Sequence, residues 1–114
     1  MGMLYVVATP LGNLEDLTFR AARILREVST VVAEDPRHTK KLLAHLGATP
    51  KLIGYREDSS ESREDAIVER LRAGDVALVV DGGTPGVSDP GPDLVSRVRS
   101  EGMTVVPVPG PSAL

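Results

Sequence analysis

Val76-Ala77-Leu78-Val79-Val80 runs straight into Asp81-Gly82-Gly83-Thr84-Pro85-Gly86. Five apolar residues in a row, three of them valine, show no alternation of polar and apolar positions. That is the pattern of a strand buried on both faces, as in a parallel sheet covered by helices on each side. The run stops at once in glycine, threonine and proline. Immediately before it, Ile67, Val68 and Leu71 fall at helical spacing and the segment ends at Gly74. Ser62 and Asp65 stand at the spacing of a capping box for that helix. Beyond the loop, Pro92 suits a first helical turn, Leu94, Val95 and Val98 form an apolar stripe, Gly102 closes the helix, and Thr104 to Val108 reads as another strand.

The same alternation runs upstream. Leu4-Tyr5-Val6-Val7-Ala8 is a short apolar strand, broken by Thr9-Pro10-Leu11-Gly12-Asn13. Leu17, Ala21, Ile24, Leu25 and Val28 then make a helical stripe, with Arg20, Arg23, Arg26 and Glu27 on other faces. Thr30 to Ala33 reads as a second strand, Leu42, Leu43 and Leu46 as a helix stopping at Gly47, and Lys51 to Tyr55 as a third strand. Three helices thus end in glycine, at Gly47, Gly74 and Gly102, a residue that supplies a left-handed exit without steric cost. Strands alternating with helices give an α/β fold: one mostly parallel five-stranded sheet with helices on both faces.

Composition narrows the classes. The chain has 114 residues, 41% apolar and 25% charged, which fits one small globular domain and not a disordered one. With no cysteine there is no disulfide framework and no thiolate metal site, and a reducing, cytoplasmic setting is expected. Met1 to Val7 lacks the basic segment of a signal peptide, and no stretch approaches the ~20 apolar residues of a membrane span. Three aromatics, Tyr5, Phe19 and Tyr55, are too few for a stacking platform along single-stranded nucleic acid. The formal net charge of −3 differs from that of a strongly basic nucleic-acid binder, although what an RNA meets is the local patch.

All strand C-termini of a parallel sheet lie on one edge, and ligands bind there. That edge gathers Thr9 to Asn13, Glu34-Asp35-Pro36-Arg37-His38, Asp81 to Gly86 and Pro109-Gly110-Pro111-Ser112. Glycines in the third of these let a ligand approach the backbone closely. No P-loop pattern is present and no G-x-G-x-x-G follows the first strand, so a nucleoside with an amino-acid tail and no phosphate fits better than a nucleotide. Asp81 reads either as a turn residue or as an acceptor for an amine or ribose hydroxyl of that ligand. In the second segment Glu34 and His38 are titratable neighbours suited to proton transfer, whereas Asp35 before Pro36 reads equally as a helix cap. His38 and His45 stand two helical turns apart, too far to chelate one metal, and no metal is expected. Arg37, Lys40 and Lys41 form the densest basic patch, the candidates for phosphate contact.

Four segments, in order, carry a resemblance: Thr9 to Thr18 (TPLGNLEDLT), Glu34 to Thr39 (EDPRHT), Asp81 to Gly91 (DGGTPGVSDPG) and Val108 to Ala113 (VPGPSA). Together they resemble the tetrapyrrole-methylase (class III methyltransferase) superfamily, and within it the branch that methylates ribose in bacterial small-subunit ribosomal RNA. Two positions depart from the pattern: Pro36 stands where threonine is commoner, and Gly82 where alanine is.

The resemblance implies an S-adenosyl-L-methionine-dependent enzyme, a homodimer of two-domain subunits with the cofactor in the cleft between domains. Residues 1–114 would be the N-terminal domain, truncated before the C-terminal one, with Ser112 placed to cap a helix beyond the last residue, and the fragment alone would have little or no activity. Cofactor contacts would fall on Pro10, Asp81, Gly83, Thr84, Ser112 and Ala113. The reaction would be methyl transfer to the 2′-hydroxyl of a cytidine ribose, with Glu34 and His38 the candidates to assist deprotonation and Arg37, Lys40 and Lys41 facing the RNA. Two other readings remain open: a tetrapyrrole or protein side-chain methylase of the same superfamily, and a non-enzymatic flavodoxin-like or nucleotide-binding module.

Overall fold

The computed structural model describes residues 1–10, 14–56, 61–81 and 91–110. Its strands are β1 (Leu4–Thr9), β2 (Thr30–Ala33), β3 (Lys51–Gly54), β4 (Val76–Asp81) and β5 (Val105–Val108). They alternate with helices α1 (Phe19–Glu27), α2 (Pro36–Leu46), α3 (Glu61–Ala73) and α4 (Gly91–Ser100), and a single 3-10 turn at Leu14–Asp16 precedes α1. No helix among the described residues is long and apolar enough to cross a membrane.

The five strands form one sheet in the order β3-β2-β4-β1-β5, every neighbouring pair parallel. The expected α/β sheet is therefore present and wholly parallel. β4 and β1 occupy its centre, and their side chains feed both faces in alternation. Leu4, Val6, Ala8, Leu78 and Val80 join Ile67, Val68 and Leu71 of α3 and Leu94 and Val98 of α4 in one core. Val7, Val31, Ala77 and Val79 join Ala21, Ile24 and Leu25 of α1 and Leu42 and Leu43 of α2 in the other. This is the physical reason that β4 reads as an unbroken apolar run: both of its faces are dry. β5, at an edge, tolerates Pro107 because it pairs only with β1.

Helix ends follow local chemistry. The Thr18 hydroxyl accepts the Ala21 N–H and starts α1. Gly47 and Gly102 adopt φ of 71° and 78°, the left-handed exits expected after α2 and α4. Gly74 differs: among the described residues only those two glycines have positive φ. Close packing constrains this corner: a Cβ on Gly74 would approach the Ser29 hydroxyl to 3.2 Å, and one on Gly2 would lie 2.0 Å from the Gly74 carbonyl oxygen. The capping box at Ser62 is also displaced. α3 already begins at Glu61, so Ser62 is inside the first turn and the capping position lies outside the described residues.

Candidate functional site

The topology creates a switch point. From β1 the chain leaves toward β2 through α1, which packs on one face; from β4 it leaves toward β5 through α4, which packs on the other. The two adjacent strands thus send their connections to opposite faces of the sheet, the arrangement at which open α/β sheets bind ligands. Thr9 and Asp81 are paired across this boundary, the last residues of β1 and β4. The Thr9 hydroxyl, buried at 2% exposure, donates to the Val80 carbonyl at 3.3 Å and ties the two strand ends together. Pro10 follows at once and is half-buried.

The neighbouring strands deliver the other segments to the same edge. β2, on the far side of β4, ends at Ala33 and hands over to exposed Glu34. β5, on the far side of β1, ends at Val108 and hands over to Pro109 and Gly110. All four segments singled out in the sequence therefore enter one edge of the sheet, with the switch point central. Gly83, Thr84, Ser112 and Ala113 lie outside the described residues.

Asp35 serves as the cap of α2: its Oδ1 accepts the N–H groups of Arg37 at 3.2 Å and His38 at 3.4 Å, and Pro36 occupies the first turn. Pro36 also packs close to the end of β3, where a Cβ on Gly54 would approach its Cγ to 3.1 Å. His38 is half-buried in that first turn and Glu34 is exposed one residue before the cap; among the described residues no hydrogen bond joins these two. Arg37, Lys40 and Lys41 are exposed along α2.

Two structural roles were not visible in the sequence. Thr9 was assigned to the loop, although its β-branched side chain continues the strand by one residue. Tyr55, just past β3 and 1% exposed, donates to Glu64 Oε2 at 2.6 Å, and Glu64 in turn lies 3.8 Å from Arg97 Nη1. This part-buried link joins the ligand edge at β3 to α3 and α4.

The edge is rich in carboxylates: Glu15, Asp16, Glu34, Asp35 and Asp81 all belong to segments that leave or approach strand ends. Such carboxylates suit the positive charge of a sulfonium or an ammonium. A mostly apolar groove of about 410 Å³ lies elsewhere, between α2 and the start of β3, lined by Lys40, Leu43, Ala48, Pro50 and Leu52. It is remote from the strand C-termini and gathers no set of converging polar groups.

Comparison with known proteins agrees with this geometry. The family described as tetrapyrrole (corrin/porphyrin) methylases matches residues 3–114. Among sequence relatives, the chain is 49% identical to ribosomal RNA small subunit methyltransferase I of Halalkalibacterium halodurans, over 98% of this chain and 39% of that protein. It is 50% identical to the protein of that name from Xylella fastidiosa, over 99% of this chain and 42% of the relative. The chain thus spans about two fifths of the length of these relatives. Among solved structures, uroporphyrin-III C-methyltransferase from Thermus thermophilus complexed with S-adenosyl homocysteine superimposes with a TM-score of 0.74 at 30% identity, covering 98% of this chain and 49% of that one. Its native form gives 0.73 at 28% identity, with 98% and 50% covered. By sequence over nearly its whole length and by fold, the chain belongs to the tetrapyrrole (corrin/porphyrin) methylase family.

Proposed function

We propose that this chain is the N-terminal domain of an S-adenosyl-L-methionine-dependent methyltransferase that methylates the 2′-hydroxyl of a cytidine ribose in small-subunit ribosomal RNA. The observation that carries the reading is that the four family segments begin at the strand ends along one edge of the sheet, where Thr9 is paired to Asp81. The carboxylate-rich edge fits a cofactor whose sulfonium and ammonium groups are cationic, and a structural relative is complexed with S-adenosyl homocysteine. The names of the relatives at 49% and 50% identity favour ribosomal RNA over a tetrapyrrole substrate, and membership of a methylase family disfavours the flavodoxin-like alternative.

When bound, the cofactor supplies an electrophilic methyl group on sulfur. The chain's residues have the remaining tasks. Pro10, Asp81, Gly83, Thr84, Ser112 and Ala113 hold the cofactor, Asp81 as the acceptor at the end of β4. One of Glu34 and His38 takes the proton that the ribose hydroxyl loses as its oxygen bonds the methyl carbon and the sulfur leaves with the bonding pair. Arg37, Lys40 and Lys41 face RNA phosphates. A C-terminal domain completes the cleft, and the enzyme works as a cytoplasmic homodimer.

The test is methyl transfer from labelled S-adenosyl-L-methionine by the full-length protein, offered unmodified small ribosomal subunits or uroporphyrinogen. Label in the ribose of a cytidine supports the reading. Label in uroporphyrinogen alone moves the protein to the tetrapyrrole branch.

A further inference from the structure

The two helical layers carry charge differently. α3 and α4 hold five basic and five acidic residues. Every ion pair between two described residues involves that layer: Arg72 pairs with Glu69 and Glu101, and Arg97 with Glu64, Asp65 and Glu101. α1 and α2, side by side on the opposite face, hold six basic residues against one acidic, Glu27. Arg20, Arg23, Arg37, Lys40 and Lys41 are all exposed, and none of them pairs with a carboxylate among the described residues. Arg26 is engaged, its Nε donating to the Leu46 carbonyl at 3.2 Å and joining the ends of the two helices. In a chain of net charge −3, uncompensated positive charge is thus collected on one face. Like charges left unpaired on neighbouring helices repel, and a polyanion from outside relieves that repulsion.

Phe19 adds a second, independent observation. It is the first residue of α1 and 95% exposed, whereas most large apolar side chains of the molecule are buried. Helices that return antiparallel to a parallel sheet begin at the ligand edge, so Phe19, Arg20 and Arg37 all stand where the charged face meets that edge. An exposed ring beside guanidinium groups has the chemistry that stacks on an unpaired base while neighbouring cations hold the phosphates.

We infer that the α1/α2 face is the surface that carries the RNA, with Arg20 and Arg23 joining Arg37, Lys40 and Lys41 on the phosphates and Phe19 stacking on an unpaired base beside the reacting edge. The inference rests on the RNA-methyltransferase reading above and extends it from α2 to α1.

The test uses full-length protein and labelled small-subunit ribosomal RNA, with affinity measured across a salt series. Replacing Arg20 and Arg23 together by glutamine is expected to weaken binding about tenfold. The log–log salt slope should become shallower by about 1.5, because two phosphates are no longer neutralised. S-adenosylhomocysteine affinity should stay unchanged, as should RNA binding by Arg99→Gln in the opposite layer. Phe19→Ala is expected to weaken binding about tenfold at an unaltered slope, because stacking is not ionic, and Phe19→Tyr to restore it. Wild-type RNA binding with no change in the arginine double variant overturns the face and leaves the methyltransferase reading standing. Phe19→Ala that lowers the melting temperature but not RNA affinity overturns the stacking role and places Phe19 against the rest of the protein. A wild-type protein that binds S-adenosylhomocysteine but retains no ribosomal RNA overturns both the inference and the reading beneath it.

Discussion

Asp35 and Asp81 show how one residue type divides between structure and chemistry. Asp35 accepts two N–H groups in the first turn of α2 and so neutralises donors that the helix cannot satisfy itself. Asp35→Ala is expected to cost about 1 kcal/mol in denaturant unfolding, with Asp35→Asn largely retaining stability. Cofactor affinity should be untouched; a fall in affinity without a fall in stability would assign Asp35 to the ligand. Asp81 ends the central strand opposite Thr9, at the switch point itself. In the full-length protein Asp81→Ala is expected to weaken S-adenosylhomocysteine binding while the melting temperature holds. Unchanged affinity in calorimetry would return Asp81 to the role of a turn residue. The sequence left both assignments open for Asp35 because a cap and an acid look alike without hydrogen-bond partners.

Individual elements were legible to the degree that burial alone dictates them. β2 spans Thr30–Ala33 as expected, and β1 and β4 differ from expectation only by Thr9 and Asp81 at their C-terminal ends. These strands are dry on both faces, so nothing competes with the apolar signal. Ends governed by a single contact were harder. Gly47 and Gly74 both follow a helix, yet only Gly47 takes the left-handed conformation; at Gly74 an added Cβ would instead approach the Ser29 hydroxyl to 3.2 Å. Gly47→Ala is therefore expected to destabilise the domain by about 1 kcal/mol in thermal unfolding, since an L side chain is strained at that φ even in open space. No loss would mean that α2 can exit another way. The α3/α4 pairing was invisible too, because it depends on which helices share a face. Arg97 is its hub: chiefly the hydrogen bond with Asp65 raises the guanidinium pKa above its ordinary value. A raised pKa gives stability that is present below the ordinary arginine range and lost only above it, so Arg97 itself stays charged throughout the neutral range.

At the scale of the whole molecule, the alternating pattern of strands and helices implied a doubly wound sheet, but strand order is not written in periodicity. The order β3-β2-β4-β1-β5 is what makes β1 and β4 neighbours and sets two strand ends far apart in sequence side by side. Strand order and helix sidedness together also sort six basic residues onto one face, an asymmetry that a net charge of −3 conceals. In the function proposed above, this edge is half of a cofactor cleft. The direct measurement is calorimetric titration of S-adenosylhomocysteine into the full-length protein and into residues 1–114. Binding by the full-length protein, with weak or absent binding by the shorter chain, is the expected result. Absence of binding by the full-length protein would contradict the account and leave only the sheet architecture standing.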